Sequence, residues 1–339
     1  MPSGLGPTCL GIRVVVRHLV TGETGPSGGP AMTDVLGVME SWDEASTTLR
    51  RDDGTLVRIE RATIVAGKPV PERPSRHTKV GADEAARRAH GSWPAVLAEP
   101  LGEWVLRASG GFSARANSVL LAGDPGRPWD DALTAVTDFY AARDLPAWAQ
   151  VTVGSPEQRR LQEESGWVLA RPGEADSEFH VAGVARAARA CRALLPSSVP
   201  DVAVSEVLTA GWLATDGRAR EHGADARAVL EGPDHTGFGT ITLDDTGDGA
   251  VVARGRIAFP SDDDGADIWA GVTDVWVSPD RRRERLGIVV LHALLGWAAE
   301  RGATTAYLQV RADNPPALAL YSRLGFARHH AYRYVRAPD

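Results

Sequence analysis

The sequence predicts an α+β protein, a small N-terminal β-barrel followed by two tandem copies of one mixed-sheet unit with helices on both faces. Three observations carry this prediction. Residues 11–71 break into short β-runs separated by turn chemistry. The rest of the chain alternates helix-like and strand-like stretches. A series of such elements near residues 130–167 then recurs, in the same order, near residues 286–326. At 339 residues the chain is also too long for one ordinary core, so two or three domains are expected.

The barrel rests on residues 12–16, a Gly/Pro/Thr-rich loop, residues 34–38, residues 46–50, the turn Asp53-Gly54, residues 56–59 and a closing strand over 63–71. The stretch from Pro71 to Pro74 reads as a linker, which ends the first domain near Arg76 (residues 1–76). A degenerate copy of the repeat then occupies residues 77–175. Its expected parts are a helix over 83–90, core aromatics Trp93 and Trp104, two strands within 101–121 joined through Gly110-Gly111, and a helix over 130–143 burying Leu133, Val136 and Tyr140. The second copy, residues 176–339, carries the matching series. Helix 130–143, strand 149–153, helix 156–165 and Gly166-Trp167 correspond to helix 286–301, strand 307–310, helix Pro315–Arg323 and Gly325-Phe326, and Gln150-Val151 corresponds to Gln309-Val310.

Composition narrows the function classes. Hydrophobic residues make up 43% and charged residues 24%, the balance of a globular chain rather than a disordered one. The net charge is −7, so no global positive field is available to hold nucleic acid or anionic lipid, and any anion site must be local. Cys9 and Cys191 lack the spacing of a disulfide framework or a zinc site, which points to a reducing cytoplasm. No apolar run approaches the roughly 20 residues of a membrane helix, and the first residues lack the pattern of a signal peptide.

One local anion site stands out. Residues 267–279 read as a strand in which Val275 and Val277 alternate with Asp274 and Trp276, stopped by Ser278-Pro279. The next residues, Arg281-Arg282-Arg283-Glu284-Arg285-Leu286-Gly287, lead into a helix with the apolar stripe Val290, Leu291, Leu294, Leu295 and Ala298. Free N–H groups already make a helix N-terminus partly positive, so four arginines there call for an anion. A strand, a tight turn and a helix start form a cradle for phosphate oxygens. Taken alone, such a run reads better as a solvated arginine cluster, with a DNA-facing patch as another reading, and it is the context that favours the cradle. Downstream, Asn314 is an N-cap candidate before Pro315, and Tyr321 follows on the same helix before Gly325-Phe326.

In this order, the strand ending in Val-Ser-Pro, the arginine-rich turn and the Asn…Tyr…Gly-Phe segment resemble the GNAT acyltransferase superfamily, over roughly residues 204–335. The first repeat looks like a degenerate copy of that fold, and the barrel resembles the SH3-like module preceding GNAT halves in some actinobacterial proteins. The resemblance implies an acetyl-CoA-dependent N-acetyltransferase in which the acceptor amine attacks the thioester directly. The family's pyrophosphate motif falls on Arg282 to Gly287, where Arg282 and Gly287 match and Arg285 replaces the first glycine. Arg283 and Ile288 lie in the same cradle. Val275 and Val277 fall where the strand hydrogen-bonds the pantetheine arm, Asn314 where a side chain contacts it, and Tyr321 where a phenol reaches the thioester sulfur.

These residue types suit the chemistry. Acetyl transfer to an amine needs a neutral nucleophile, a polarised carbonyl and a proton donor for the thiolate. A phenol with a reference pKa of about 10, above about 8.5 for a thiol, stays protonated to serve the last role. Asp274 is the carboxylate placed to accept the amine proton, directly or through water, with a solvent-facing strand aspartate as the alternative. In the first copy, Gly123-Asp124-Pro125-Gly126-Arg127 replaces the arginine-rich turn, Ser155 stands for Asn314 and Gln162 for Tyr321, so the second copy is expected to bind the cofactor. His329 and His330 read as exposed and His292 as a helix residue, offering no competing chemistry.

Two rivals remain at this level, a noncatalytic acyl-CoA-binding sensor or adaptor, and a nucleic-acid partner bound through the barrel. Against the second, Arg17, Arg50, Arg51, Arg58 and Arg61 are interleaved with acids, and no stacking series of aromatics accompanies them. The acceptor amine, a small molecule or a protein, stays open, and a homodimer is compatible with the sequence.

Overall fold

The computed structural model describes residues 4–24, 28–51, 55–70, 79–242, 249–261 and 267–338. The chain forms two compact units, Met1–Pro74 and Ser75–Asp339. The expected turn at Asp53-Gly54, the Pro71–Pro74 linker and the boundary at Arg76 lie outside the described residues.

The first unit is an antiparallel sheet of β1 (Arg13–Thr24), β2 (Pro30–Trp42), β3 (Ser46–Arg50), β4 (Leu56–Glu60) and β5 (Ile64–Pro69), in the order β4-β3-β2-β1-β5. Alternate residues Val14, Val16, Val35, Met39, Leu49 and Ile59 close its core with Cys9. β1 and β2 are longer than their apolar runs predict. Pairing extends from Arg13↔Val38 to Thr24↔Pro30, so ladder hydrogen bonds carry both strands into the Gly/Pro/Thr-rich segment that reads as loop.

The second unit runs α1 (Ala82–Ser92), β6 (Leu97–Leu101), β7 (Trp104–Ala108), β8 (Val119–Leu120), α2 (Trp129–Ala141), β9 (Trp148–Thr152), α3 (Pro156–Arg159), β10 (Val168–Leu169), β11 (Ser177–Gly183), α4 (Val184–Ala193) and β12 (Ala203–Ser205). It continues through α5 (Ala210–Ala214), α6 (Gly217–Glu231), β13 (His235–Thr242), β14 (Val251–Phe259), β15 (Trp269–Val277), α7 (Leu286–Glu300), β16 (Thr305–Arg311), α8 (Pro315–Arg323) and β17 (Ala327–Arg336). One sheet spans it, in the order β12-β13-β14-β15-β16-β11-β17-β9-β8-β7-β6, with β10 beside β17.

The order shows how the two copies are joined. In repeat order β11 closes the first copy and β17 the second, yet β11 lies beside β16 and β17 lies beside β9. Each closing strand therefore completes the other copy's sheet, and Val335 of β17 is buried in the core built by α2, β7 and β9. The expected division at 175/176 falls between β10 and β11, and the sheet continues across it.

Strand alternation sends helices to both faces. Ala306, Leu308 and Val310 of β16 pack into one cluster with residues of α4, α7 and α8. Tyr307, between them, packs on the opposite face with Phe179, Trp269 and α1 residues Ala85 and Ala89. The helix stripe Val290, Leu291, Leu294, Leu295 and Ala298 is buried as its spacing predicts, fixing α7 along the sheet. At roughly 1.5–3 kcal/mol per fully buried aliphatic side chain, this stripe holds the helix start in place far more firmly than helix propensity does.

Candidate active site

β15 and β16 pair in parallel only from Trp269↔Thr305 to Val272↔Leu308. Beyond that point β15 stays on β14 as far as Val277, and β16 stays on β11 as far as Arg311. The two strands thus part company, leaving the inner edges of residues 273–277 and 309–311 open within the sheet. The cause lies in β15. Arg254 faces Trp276 and Arg256 faces Thr273, so Asp274 and Val275 both stand opposite Gly255, a bulge in which Asp274 takes φ 54°.

At the end of this opening, the turn into α7 holds Arg283 at φ 70° and Arg285 at φ 63°. Left-handed residues alternating with others in such a turn aim successive amides to one side. The amides of residues 283–287 donate to no acceptor among the described residues, whereas the Ile288 amide is used, donating to the Arg285 carbonyl at 2.9 Å. The Ile288 side chain is buried in the core. A Cβ on Gly287 would stand 3.5 Å from Val277 Cγ2 and 3.8 Å from Val275 Cγ1, ordinary contacts. The chain's own packing therefore does not require glycine there.

The arginines divide. Arg281 pairs with Glu284, Nη2 to Oε2 at 2.9 Å, and Arg285 donates from Nη1 to the Leu194 carbonyl at 3.2 Å. Arg282 and Arg283 are exposed. Ser278 Oγ donates to Asp280, which lowers the Asp280 pKa.

On α8, Asn314 is the N-cap, its Oδ1 accepting from the Ala317 amide at 3.3 Å, with Pro315 at the first helical position. Its side-chain amide donors remain available. Tyr321, further along the same helix, is half-buried edge-on to Phe326 at 5.9 Å, and its hydroxyl has no hydrogen-bond partner among the described residues. Burial raises its pKa, keeping the phenol protonated at neutral pH.

Asp274 sits among cations. Arg254 donates to its backbone carbonyl at 3.1 Å, Arg218 lies 3.7 Å from Oδ1, and Oδ2 is buried with no hydrogen-bond partner among the described residues. Arg254 is itself buried, paired with Asp216 at 3.1 Å and stacked over Trp212 at 4.1 Å. Behind it Arg256 is fully buried against the Leu230 and Ser92 carbonyls, and burial brings its pKa down to about 10. Arg218, Arg254 and Arg256 belong to no motif of the sequence. Arginine at alternate positions 254 and 256 of an apolar strand was the available signal.

The first copy offers a contrast at the equivalent turn. The Asp124 amide donates to Glu103 Oε2 at 2.7 Å, and the Gly126 amide donates to Asp124 Oδ1 at 2.7 Å. Its own carboxylates fill the place an external anion would take, and a Cβ on Gly123 would collide with the Glu103 carboxylate. Ser155 caps α3 as Asn314 caps α8, accepting from the Gln158 amide at 3.1 Å. The histidines correct one expectation. His329 and His330 are half-buried, His330 stacked on Phe179 at 4.9 Å and His329 Nε2 2.7 Å from the Val80 carbonyl, because β17 is an internal strand with both faces covered. No group of three or more potential metal ligands occurs among the described residues.

Comparison with known proteins agrees with this geometry. Residues 81–335 match the family model "Probable histone acetyltransferase Rv0428c C-terminal", and residues 8–68 match "Rv0428c N-terminal Sm-like domain". The chain is 27% identical over 332 residues to the "Probable histone acetyltransferase Rv0428c" of Mycobacterium tuberculosis, covering 97% of this chain and 95% of that protein. It is 30% identical over 313 residues to the mycothiol acetyltransferase of Clavibacter sepedonicus, covering 88% and 90%. A solved tandem GNAT protein from the clavulanic acid biosynthesis pathway shares the fold, with TM-score 0.51 and 13% identity over 66% of this chain and 76% of that one. The chain belongs to the Rv0428c family and is a GNAT-type N-acetyltransferase with an Sm-like domain at its N-terminus.

Proposed function

We propose that the second copy transfers an acetyl group from acetyl-CoA to an amine by direct attack on the thioester. The observation that carries this reading is the run of unpaired amides over residues 283–287 at the mouth of the opening between β15 and β16. In this reading those amides, with Arg282 and Arg283, hold the pyrophosphate, and Arg285 contributes its amide. Gly287 leaves room for the phosphate to approach, while Val275, Val277 and Asn314 hold the pantetheine arm along the open edge. Acetyl-CoA supplies an activated acyl group whose leaving thiolate needs a proton.

Tyr321 supplies that proton from a hydroxyl not committed to any acceptor among the described residues. Asp274 receives the amine. Its buried, unpartnered Oδ2 is an acceptor without a donor, a costly arrangement that an approaching ammonium or amine N–H relieves. Arg218, 3.7 Å from Oδ1, orients the carboxylate. The segments 1–76, 77–175 and 176–339 then divide the work. The first is an accessory domain, the second a scaffold that gives β17 its partner and carries no cofactor, and the third the catalytic copy.

The test is calorimetric titration with acetyl-CoA, followed by thiol-release assays over a panel containing a histone-derived lysine peptide and small-molecule amines. Binding with release of CoA on at least one amine supports the reading. Binding without turnover on any amine makes the protein an acyl-CoA sensor, and no binding removes the cradle.

A further inference from the structure

We propose that α4, the helix that follows the first copy's closing strand, forms a second wall of the cofactor site and reads the 3′-phosphate of CoA through Arg189 and Arg192. The inference rests on the reading of the amides at residues 283–287 as the pyrophosphate cradle.

α4 turns Val184, Ala187 and Cys191 into the core shared with α7 and α8. Its other side carries Arg186, Arg189 and Arg192 at three-residue spacing, all exposed. No acidic residue occurs between Glu178 and Asp201, and neither Arg189 nor Arg192 makes a hydrogen bond or ion pair among the described residues.

Two contacts fix the direction of the helix. The Val184 amide donates to the Thr304 carbonyl at 2.9 Å, placing the start of α4 beside the start of β16. At the far end the Leu194 carbonyl accepts from Arg285 at 3.2 Å. The last turns of α4, carrying Arg189 and Arg192, are therefore fastened to the turn that bears the free amides. Arg282 and Arg283 stand on the same edge, and the nearby Glu284 is occupied by Arg281.

Arg189, Arg192, Arg282 and Arg283 have no ion-pair partner among the described residues, and the segments that carry them are joined by the Arg285–Leu194 contact, in a chain whose net charge is −7. Without an anion they repel one another, and the helix end favours their charge by a modest amount only. A pyrophosphate on the amides leaves Arg189 and Arg192 facing the next charge along the ligand. In CoA this is the 3′-phosphate, a monoester bearing close to two negative charges at neutral pH. Arg285 then acts as a positioning residue, docking α4 through its side chain while its amide faces the cradle.

The experiment measures dissociation constants for CoA and dephospho-CoA by calorimetry on the full chain, wild type and the double variant Arg189→Gln/Arg192→Gln. The wild type is expected to bind CoA about tenfold or more tightly than dephospho-CoA, the scale of one or two charge-assisted hydrogen bonds. The double variant is expected to lose that preference while binding dephospho-CoA as the wild type does, which also reports an intact fold. A wild type that does not distinguish the ligands overturns the inference and leaves the cradle standing. So does a double variant that keeps the preference or weakens both ligands equally. A wild type that binds neither ligand removes the cradle and the inference together.

Discussion

Arg285 holds its backbone at φ 63° while its guanidinium donates to the Leu194 carbonyl at 3.2 Å, so one residue is both strained at the turn and tied to a different helix. Glycine is the residue that occupies this backbone region freely, and another residue there costs about 1–2 kcal/mol. The side-chain hydrogen bond returns about 0.5–1.5 kcal/mol. Arg285→Gly is therefore expected to leave stability nearly unchanged, since both effects are removed. Arg285→Ala loses the hydrogen bond and keeps the strain, so it should be less stable than the glycine variant by about 1 kcal/mol. Urea unfolding of the two variants checks this, and equal midpoints would mean the turn does not impose a left-handed residue.

Tyr321→Phe removes only a hydroxyl that makes no hydrogen bond to the described residues. Binding of acetyl-CoA should stay within a few fold of wild type, because Phe keeps the edge-on contact with Phe326. Turnover should fall by on the order of 10²-fold, as expected for loss of a positioned acid. Steady-state kinetics alongside calorimetry separate the two quantities, and an unchanged kcat would take Tyr321 out of the mechanism.

The two turns of the repeat differ in who satisfies their amides. In the first copy Glu103 and Asp124 do so from within the chain, and in the second copy residues 283–287 wait for a partner. A single acetyl-CoA per full-length chain is expected by calorimetry, and a stoichiometry of two would show that the first turn opens.

The exchanged strands bear on any attempt to isolate the catalytic copy. A fragment of residues 176–339 keeps β11 beside β16 but deprives β17 of β9 and β10, and it exposes Val335, which is fully buried in the intact protein. A strand left at a sheet edge with an uncovered apolar face is an aggregation hazard. The fragment should be insoluble or unfolded by circular dichroism. A soluble fragment with the wild-type strand signature would mean that β17 finds another partner.

Much of this architecture is legible in the sequence because local physics decides it. The α7 stripe has helical period, Asn314-Pro315 writes its own helix start, and Gln150-Val151 and Gln309-Val310 mark equivalent strands. What escaped was non-local. No local pattern tells β11 to lie beside β16 rather than β9, because both positions offer a covered strand slot of the same kind. The bulge at Asp274 is likewise set by pairing with β14, so strict alternation along residues 273–277 reads the strand as regular. His329 and His330 look exposed for the same reason, since the strands on either side of them are distant in sequence.

His330, together with His90, gives the protein a pH dependence whose sign can be worked out. Burial lowers the pKa of His90 to about 4, and burial, His329 and Arg328 together lower that of His330 to about 4. In the unfolded chain both titrate near their ordinary value of about 6.5. Above that value both states are neutral and nothing is gained or lost. Between pH 6.5 and 4 the unfolded state binds more protons than the native one, so stability must fall as pH falls, by roughly 1 kcal/mol per pH unit for each histidine. The contact between His329 Nδ1 and His330 Nδ1 at 2.7 Å adds a reason. The Val80 carbonyl can only accept, so His329 donates from Nε2, and the two facing Nδ1 atoms share a single proton, so both rings cannot be cationic while this contact holds. Replacing His330 by Asn removes one of the two titrations. Urea midpoints at pH 7.5 and pH 5 should then move closer together in His330→Asn than in wild type, and identical spacing would show that His330 titrates normally in the folded protein.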